Sequence, residues 1–299
     1  MKYQYKKVDA FTTEHSLGNP AACVYLKADE NLNEAQMLSI GKAHKHYVSE
    51  VAICKKHEGT EFDYDMRYYS SECEVDFCGH GTIACMYSLI KDSPELIEKD
   101  SITIKTQKGV LKVYNEIPSQ NAVFISAPQP RYYAYEVNRQ KICEALRIKE
   151  EEMSKSLPVE VIDAGLKTLI IPLVNLKSEV ATLPDRAELE AFVRQEEVDI
   201  ILIYSEETED SQTFRHTRVF SPKFGYLEDP ATGSGNSAFG YYLLKHHFWE
   251  GEPIRIEQGN TYGAFNEVCL MTEAQGDEKV VLFGGKAKER IEGFYLLEE

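Results

Sequence analysis

Two short stretches hold most of the residues able to do chemistry. The first, "EDPATGSGNSAFGYYLL" (228–244), sets two acids, a proline and glycines in front of an apolar run. The second, "CGHGTIACMYSLI" (78–90), sets a cysteine, a histidine and two glycines in front of another. A helix that opens on glycines offers unpaired N–H groups and the positive end of its dipole, a natural seat for a carboxylate or other anion. Gly79 and Gly233 let a ligand approach the backbone closely. His80 can carry a proton or bind an anion there, or simply pack. Ser234 can cap the helix or donate to a substrate carboxylate. Asp229, held extended by Pro230, can brace the turn or orient His80 or a substrate amine. Asn19, in "LGNPAAC", reads as a turn residue whose amide can also line a pocket. Glu50 lies in the strand-like "YVSEVAICK" among Val48, Val51, Ala52 and Ile53. A carboxylate in such apolar company holds its proton more tightly, as a general acid/base near neutral pH must. On pattern alone it is as easily an edge-strand glutamate facing water.

The elements that must position these residues come in duplicate. Laying residue 78 over 232, an offset of 154, matches Gly79 to Gly233, Gly81 to Gly235, Ala84 to Ala238 and Leu89 to Leu243. The same offset carries Gly109 onto Gly263, and upstream "RYYS" (67–70) pairs with "RVFS" (218–221). The amphipathic "LNEAQMLSIGKA" and "DRAELEAFVRQE" each precede an apolar strand-like run, "YVSEVAICK" and "VDIILIYSE". Ordered matches of this kind mark an internal repeat. The fold class expected is α+β, two pseudo-symmetric halves in tandem, each a mixed β-sheet rolled around a central apolar helix. A doubly wound parallel sheet is disfavoured, because no G-x-G-x-x-G turn opens a βαβ unit near the start. The halves are expected to join near Pro118-Ser119-Gln120. Residues 1–118 with a returning segment 284–299 form the first, and 119–283 the second. A two-fold relation would aim both helix N-termini into one interdomain cleft, where small-molecule sites usually lie.

The chain has 299 residues and a formal net charge of −16. That charge argues against nucleic acid and anionic membrane surfaces as partners, yet a local pocket can still take an acidic small molecule. No apolar run approaches the ~18 residues a spanning helix needs, and the start carries no apolar signal core. Seven cysteines without framework spacing fit reduced thiols in a cytoplasm. Cys73, Cys78, His80 and Cys85 raise the thought of zinc, but no paired C-x-x-C supports it, and no metal is expected. His44 and His46, among polar neighbours in "AHKHY", are expected to be solvated.

At "VDAFTTEHSLGNPAAC" (8–23), "YVSEVAI" (47–53), "RYYSSECEVDFCGHGT" (67–82), "EDPATGSG" (228–235) and "EQGNTYG" (257–263) the chain resembles the PhzF family of phenazine-biosynthesis-like isomerases, relatives of diaminopimelate epimerase. The resemblance implies an epimerase-like two-domain fold, a homodimer and no cofactor. In the phenazine pathway member the substrate is a dihydro-hydroxyanthranilate, isomerised by moving a proton between ring carbons. The family's functional positions fall here on Glu50, His80, Asp229 and Ser234. The epimerase cousins use two cysteines, one before each Gly-rich turn; here Cys78 stands in the first place and Thr232 in the second. A hydroxyl has no thiolate form near neutral pH, which disfavours a two-thiol racemase. The expectation is therefore proton relocation by Glu50 on a small carboxylate. A Cys78-assisted racemase and a non-catalytic binding protein on the same fold are the competitors.

Overall fold

The computed structural model describes residues 1–276 and 278–298; Asp277 and Glu299, the last residue of the expected returning segment, lie outside the described residues. The chain divides into two compact units. One holds residues 1–12, 17–126 and the chain from Gly284 onward, the other residues 13–16 and 127–283.

In the first unit the strand Lys2–Ala10 pairs antiparallel with Asn19–Leu26 on one side and with Ala287–Leu296 on the other. Asn19–Leu26 runs parallel to Val51–Lys56, which pairs antiparallel with Tyr64–Tyr69. Tyr64–Tyr69 takes the short strand Glu74–Val75 antiparallel and Ser101–Thr106 parallel, and Gly109–Glu116 and Ala122–Ser126 follow antiparallel. The helix Gly79–Asp92 packs against Lys2–Ala10, Asn19–Leu26, Val51–Lys56, Ala122–Ser126 and Ala287–Leu296. It buries Ile83, Ala84, Cys85, Met86, Tyr87 and Ile90. A helix with apolar residues on every side has no face to give to water, so strands surround it.

The second unit repeats that connectivity. Lys167–Pro172 runs parallel to Ile200–Ser205, which pairs antiparallel with Arg215–Phe220. Arg215–Phe220 takes the short Glu228–Asp229 antiparallel and Ile254–Gln258 parallel, and Asn266–Gln275 follows antiparallel. The helix Gly233–Lys245 packs on Glu160–Asp163, Lys167–Pro172, Ile200–Ser205 and Asn266–Gln275. Each unit also carries the expected amphipathic helix. Glu34–Ala43, opened by a capping box between Asn33 and Gln36, buries Met37 and Ile40. Arg186–Gln195, capped by Asp185, buries Leu189, Phe192 and Val193.

The joint falls later than the sequence suggests. Residues 117–120 form a short helix, Ile117–Gln120, closed by Asn121 in the left-handed conformation (φ 56°). The chain then turns back, so that Ala122–Ser126 pairs with Gly109–Glu116. The first unit thus runs on to Ser126. Gly18 shows what a turn can demand: its φ is +75°, and a Cβ there would meet the Ala10 carbonyl oxygen at 2.6 Å. No other residue fits.

Candidate active site

In the first unit three reactive side chains meet at the start of the Gly79–Asp92 helix. Cys78 is its N-cap, in extended conformation, and its Sγ accepts a hydrogen bond from the Gly81 N–H at 3.3 Å. Thr82 donates to the Cys78 carbonyl at 2.7 Å, and the buried Tyr68 hydroxyl lies 2.6 Å from Thr82. With the threonine proton already committed, Tyr68 is the donor, and it ties the first helical turn to the strand beneath. Glu50 stands immediately before the strand Val51–Lys56 rather than inside it. Its side chain is 20% exposed and that of His80 13%. The edge-strand alternative, with the carboxylate in open water, does not hold. His80 Nε2 lies 3.5 Å from Glu50 Oε2. Cys78 Sγ is 3.5 Å from His80 Nδ1 and 3.9 Å from Glu50 Oε2.

Loss of water around the imidazole pulls the His80 pKa down to about 4 from its usual 6.5. At neutral pH the ring is uncharged, so its approach to Glu50 is not an ion pair. The consequence for stability has a definite sign. As pH falls below about 6.5 the unfolded chain takes up this proton and the folded one does not until about pH 4, so stability drops across that window. The separation corresponds to up to about 3 kcal/mol. Urea titrations between pH 7 and 4 should show a steeper loss for wild type than for His80→Gln. Parallel curves would mean that the ring titrates normally.

The second unit presents a different set. Asp229 ends the short strand Glu228–Asp229 and is buried. Thr232 caps the Gly233–Lys245 helix in extended conformation but makes no side-chain capping bond. Its hydroxyl donates to the Asp229 carboxylate instead. Gln258 Nε2 donates to the Asp229 carbonyl at 2.9 Å and to Thr232 Oγ1 at 3.1 Å. Its Oε1 accepts from the Thr232 N–H at 2.9 Å and from Asn236 Nδ2 at 2.7 Å. Asn236 Nδ2 also donates to the Thr232 carbonyl at 3.0 Å, which ties the helix opening to this network. Ser234 is the second residue of the helix and half-buried. Asn19 begins its strand opposite Ala10 in the first unit and is 1% exposed. The structure thus brings Glu50, Cys78 and His80 together in one unit, and Asp229, Thr232, Gly233 and Ser234 in the other.

Behind Asp229 lies a network that sequence reading missed. Arg218, 1% exposed, grips the Glu228 carboxylate through Nε at 2.9 Å and Nη2 at 2.8 Å. Its Nη1 donates to the carbonyls of Glu179, Val180 and Thr182. Two residues earlier on the same face, His216 Nδ1 lies 2.8 Å from Glu179 Oε1, both side chains wholly buried. Burial pushes the Glu179 carboxyl's pKa upward. The only hint in the sequence was a polar alternation, "RHTR", in an otherwise apolar strand.

One histidine expectation needs correction. His44 is buried, with Nδ1 2.8 Å from the Ile40 carbonyl and its ring stacked on Tyr5; only His46 is exposed. Of the four residues that raised the thought of zinc, Cys73 is exposed beside Ser70 and Cys85 is buried in the helix core. Cys78 and His80 alone remain together.

This is the fold of the phenazine-biosynthesis and epimerase group. A solved PhzF-family phenazine biosynthesis protein from Bacillus anthracis superposes with a TM-score of 0.83 over 99% of both chains, at 25% identity. A hydroxyproline epimerase from Agrobacterium vitis, solved with trans-4-hydroxy-L-proline, shares the fold at 11% identity and a TM-score of 0.62, over 98% of this chain and 91% of its own. The chain belongs to the phenazine biosynthesis-like PhzC-PhzF family, whose model matches residues 8–293. Among its relatives is the Bacillus subtilis protein YfhB, named an uncharacterized isomerase, 29% identical over 93% of this chain and 94% of that one.

Proposed function

We propose that the protein is a cofactor-independent isomerase that relocates a proton on a small carboxylate substrate taken up between its two units. The observation that carries this reading is the Glu50 carboxylate, largely withdrawn from water and 3.5 Å from an uncharged imidazole at a helix N-terminus. Glu50 takes a proton from carbon and returns it elsewhere. His80, Ser234 and the N–H groups opening at Gly79 and Gly233 hold the carboxylate. Asp229, fixed by Thr232 and Gln258, keeps the second helix opening in place, and Asn19 lines the site. The family resemblance adds the expectation of a homodimer, which light scattering at micromolar concentration checks.

The test is isotopic. Protein in deuterium oxide is incubated with a panel of cyclic and amino-acid-like carboxylates, and recovered compounds are read by proton NMR. Deuterium at one carbon of at least one compound is expected. No exchange across the panel would favour a binding protein that kept the fold and lost turnover.

A second reading has one observation in its favour: the Cys78 thiol stands within the same cluster, 3.9 Å from Glu50. A thiol there can carry a proton as in the epimerases. Against it, the matching position in the second unit is Thr232, whose hydroxyl is committed to Asp229. Full exchange activity in Cys78→Ser would dismiss it.

A further inference from the structure

The geometry points to a zinc site formed by Glu50, Cys78 and His80, at which the ion binds reversibly and displaces the side chains' own chemistry. Each residue offers one donor atom, and the three atoms lie within 4.8 Å of one another. Zinc takes thiolate, imidazole and carboxylate together, at about 2.3 Å from sulfur and about 2.0–2.2 Å from nitrogen and oxygen. Tetrahedral angles at those bond lengths put the ligands roughly 3.4–3.6 Å apart. Here Cys78 Sγ to His80 Nε2 is 3.8 Å, His80 Nε2 to Glu50 Oε2 is 3.5 Å, and Cys78 Sγ to Glu50 Oε2 is 3.9 Å. A contraction of a few tenths of an ångström closes the triangle on an ion.

The donor set also selects the metal. A sulfur, a nitrogen and a single carboxylate suit zinc and its borderline-soft neighbours, whereas magnesium and calcium require oxygen ligands. Three protein ligands leave a fourth position for water or for an anionic ligand, an open coordination rather than the closed one of structural zinc. The partial exposure of Glu50 and His80 gives the ion a way in. As the Zn–S bond forms, the thiol proton leaves to solvent. Sequence spacing could not suggest the site: Cys78 and His80 are two residues apart, and the third ligand comes from residue 50. On the proton-relocation reading, zinc inhibits by occupying the Glu50 carboxylate. The binding itself does not depend on that reading.

Cobalt(II) reports such a site without any turnover. Reduced, metal-free protein is titrated with cobalt chloride and followed by visible and near-ultraviolet absorption. One ion per chain is expected, with the strong visible bands of tetrahedral cobalt and a thiolate charge-transfer band, both abolished by added zinc chloride. Cys78→Ala should lose the charge-transfer band, with Cys78→Ser as its companion in case the alanine variant misfolds. Glu50→Gln and His80→Ala should each weaken binding at least about tenfold, and Cys73→Ala should leave the spectrum unchanged. Absence of the bands in wild type, or a charge-transfer band that survives in both Cys78 variants, overturns the site. A protein that shows the bands yet exchanges no carbon-bound hydrogen refutes the proposed activity and leaves the metal site standing.

Discussion

Glu50→Gln is expected to fold like wild type, to bind carboxylate ligands with similar affinity, and to lose about a hundred- to ten-thousandfold in the rate of solvent deuterium exchange. The amide keeps the size and hydrogen-bonding reach of the acid but cannot accept a proton. The strand pairing here runs through the backbone: residue 50 precedes its strand, and its carbonyl receives the Ala22 N–H. His80→Ala should behave differently, weakening binding as well as turnover, because the ring is assigned to the anion. Exchange by Glu50→Gln within threefold of wild type, together with its abolition in Cys78→Ala, would transfer the chemistry to the thiol.

Arg218→Leu is expected to cost about 3–5 kcal/mol, the usual result of removing one partner from a buried ion pair. The guanidinium is 1% exposed, and its five donor contacts run to a carboxylate and three carbonyls. Leucine satisfies none of them, so the Glu228 carboxylate and the end of the helix Leu176–Ala181 lose their partner together. Urea denaturation measures the loss. Lys45→Ala is the control: Lys45 and Glu72 are 3.1 Å apart but 53% and 73% exposed, and about 0–1 kcal/mol is expected. A midpoint for Arg218→Leu no lower than that of Lys45→Ala would mean that water reaches the pair. Because Glu228 adjoins Asp229, the same variant should also weaken ligand binding.

The parts of this molecule that could be read from sequence are those specified by local pattern. The helices at 79–92 and 233–245 are apolar through their middle turns, and the strand Ile200–Ser205 is apolar up to its final serine. The matched glycines align at one offset, and the strands of the two units follow the same order of parallel and antiparallel pairings. What stayed hidden depends on partners distant in the chain. His44 looks solvated because its neighbours are polar, yet it is received by Tyr5, 39 residues away. Glu179 and His216 lie 37 residues apart, and no local pattern ties one to the other. Asn236 finds its partner in Gln258, 22 residues on. The candidate site was legible in its residues but not in its grouping. Pattern picked out Glu50 and His80 singly, and only the register of Val51–Lys56 beside Asn19–Leu26 sets Glu50 at the mouth of the first helix.

The pairing of Lys2–Ala10 with Ala287–Leu296 has a consequence for how the protein is made. On the ribosome the first strand emerges early, yet one of its two edges waits until residues 287–296 have been translated. The whole of 127–283 appears in between, so the second unit has all of its own chain, apart from residues 13–16 made earlier, before the first can be finished. Biogenesis therefore runs inside out: the unit begun first is sealed last. Until then it shows an open strand edge of the kind that recruits other nascent chains. A chain released before residue 287 would carry every residue of the second unit and leave the first without its closing strand.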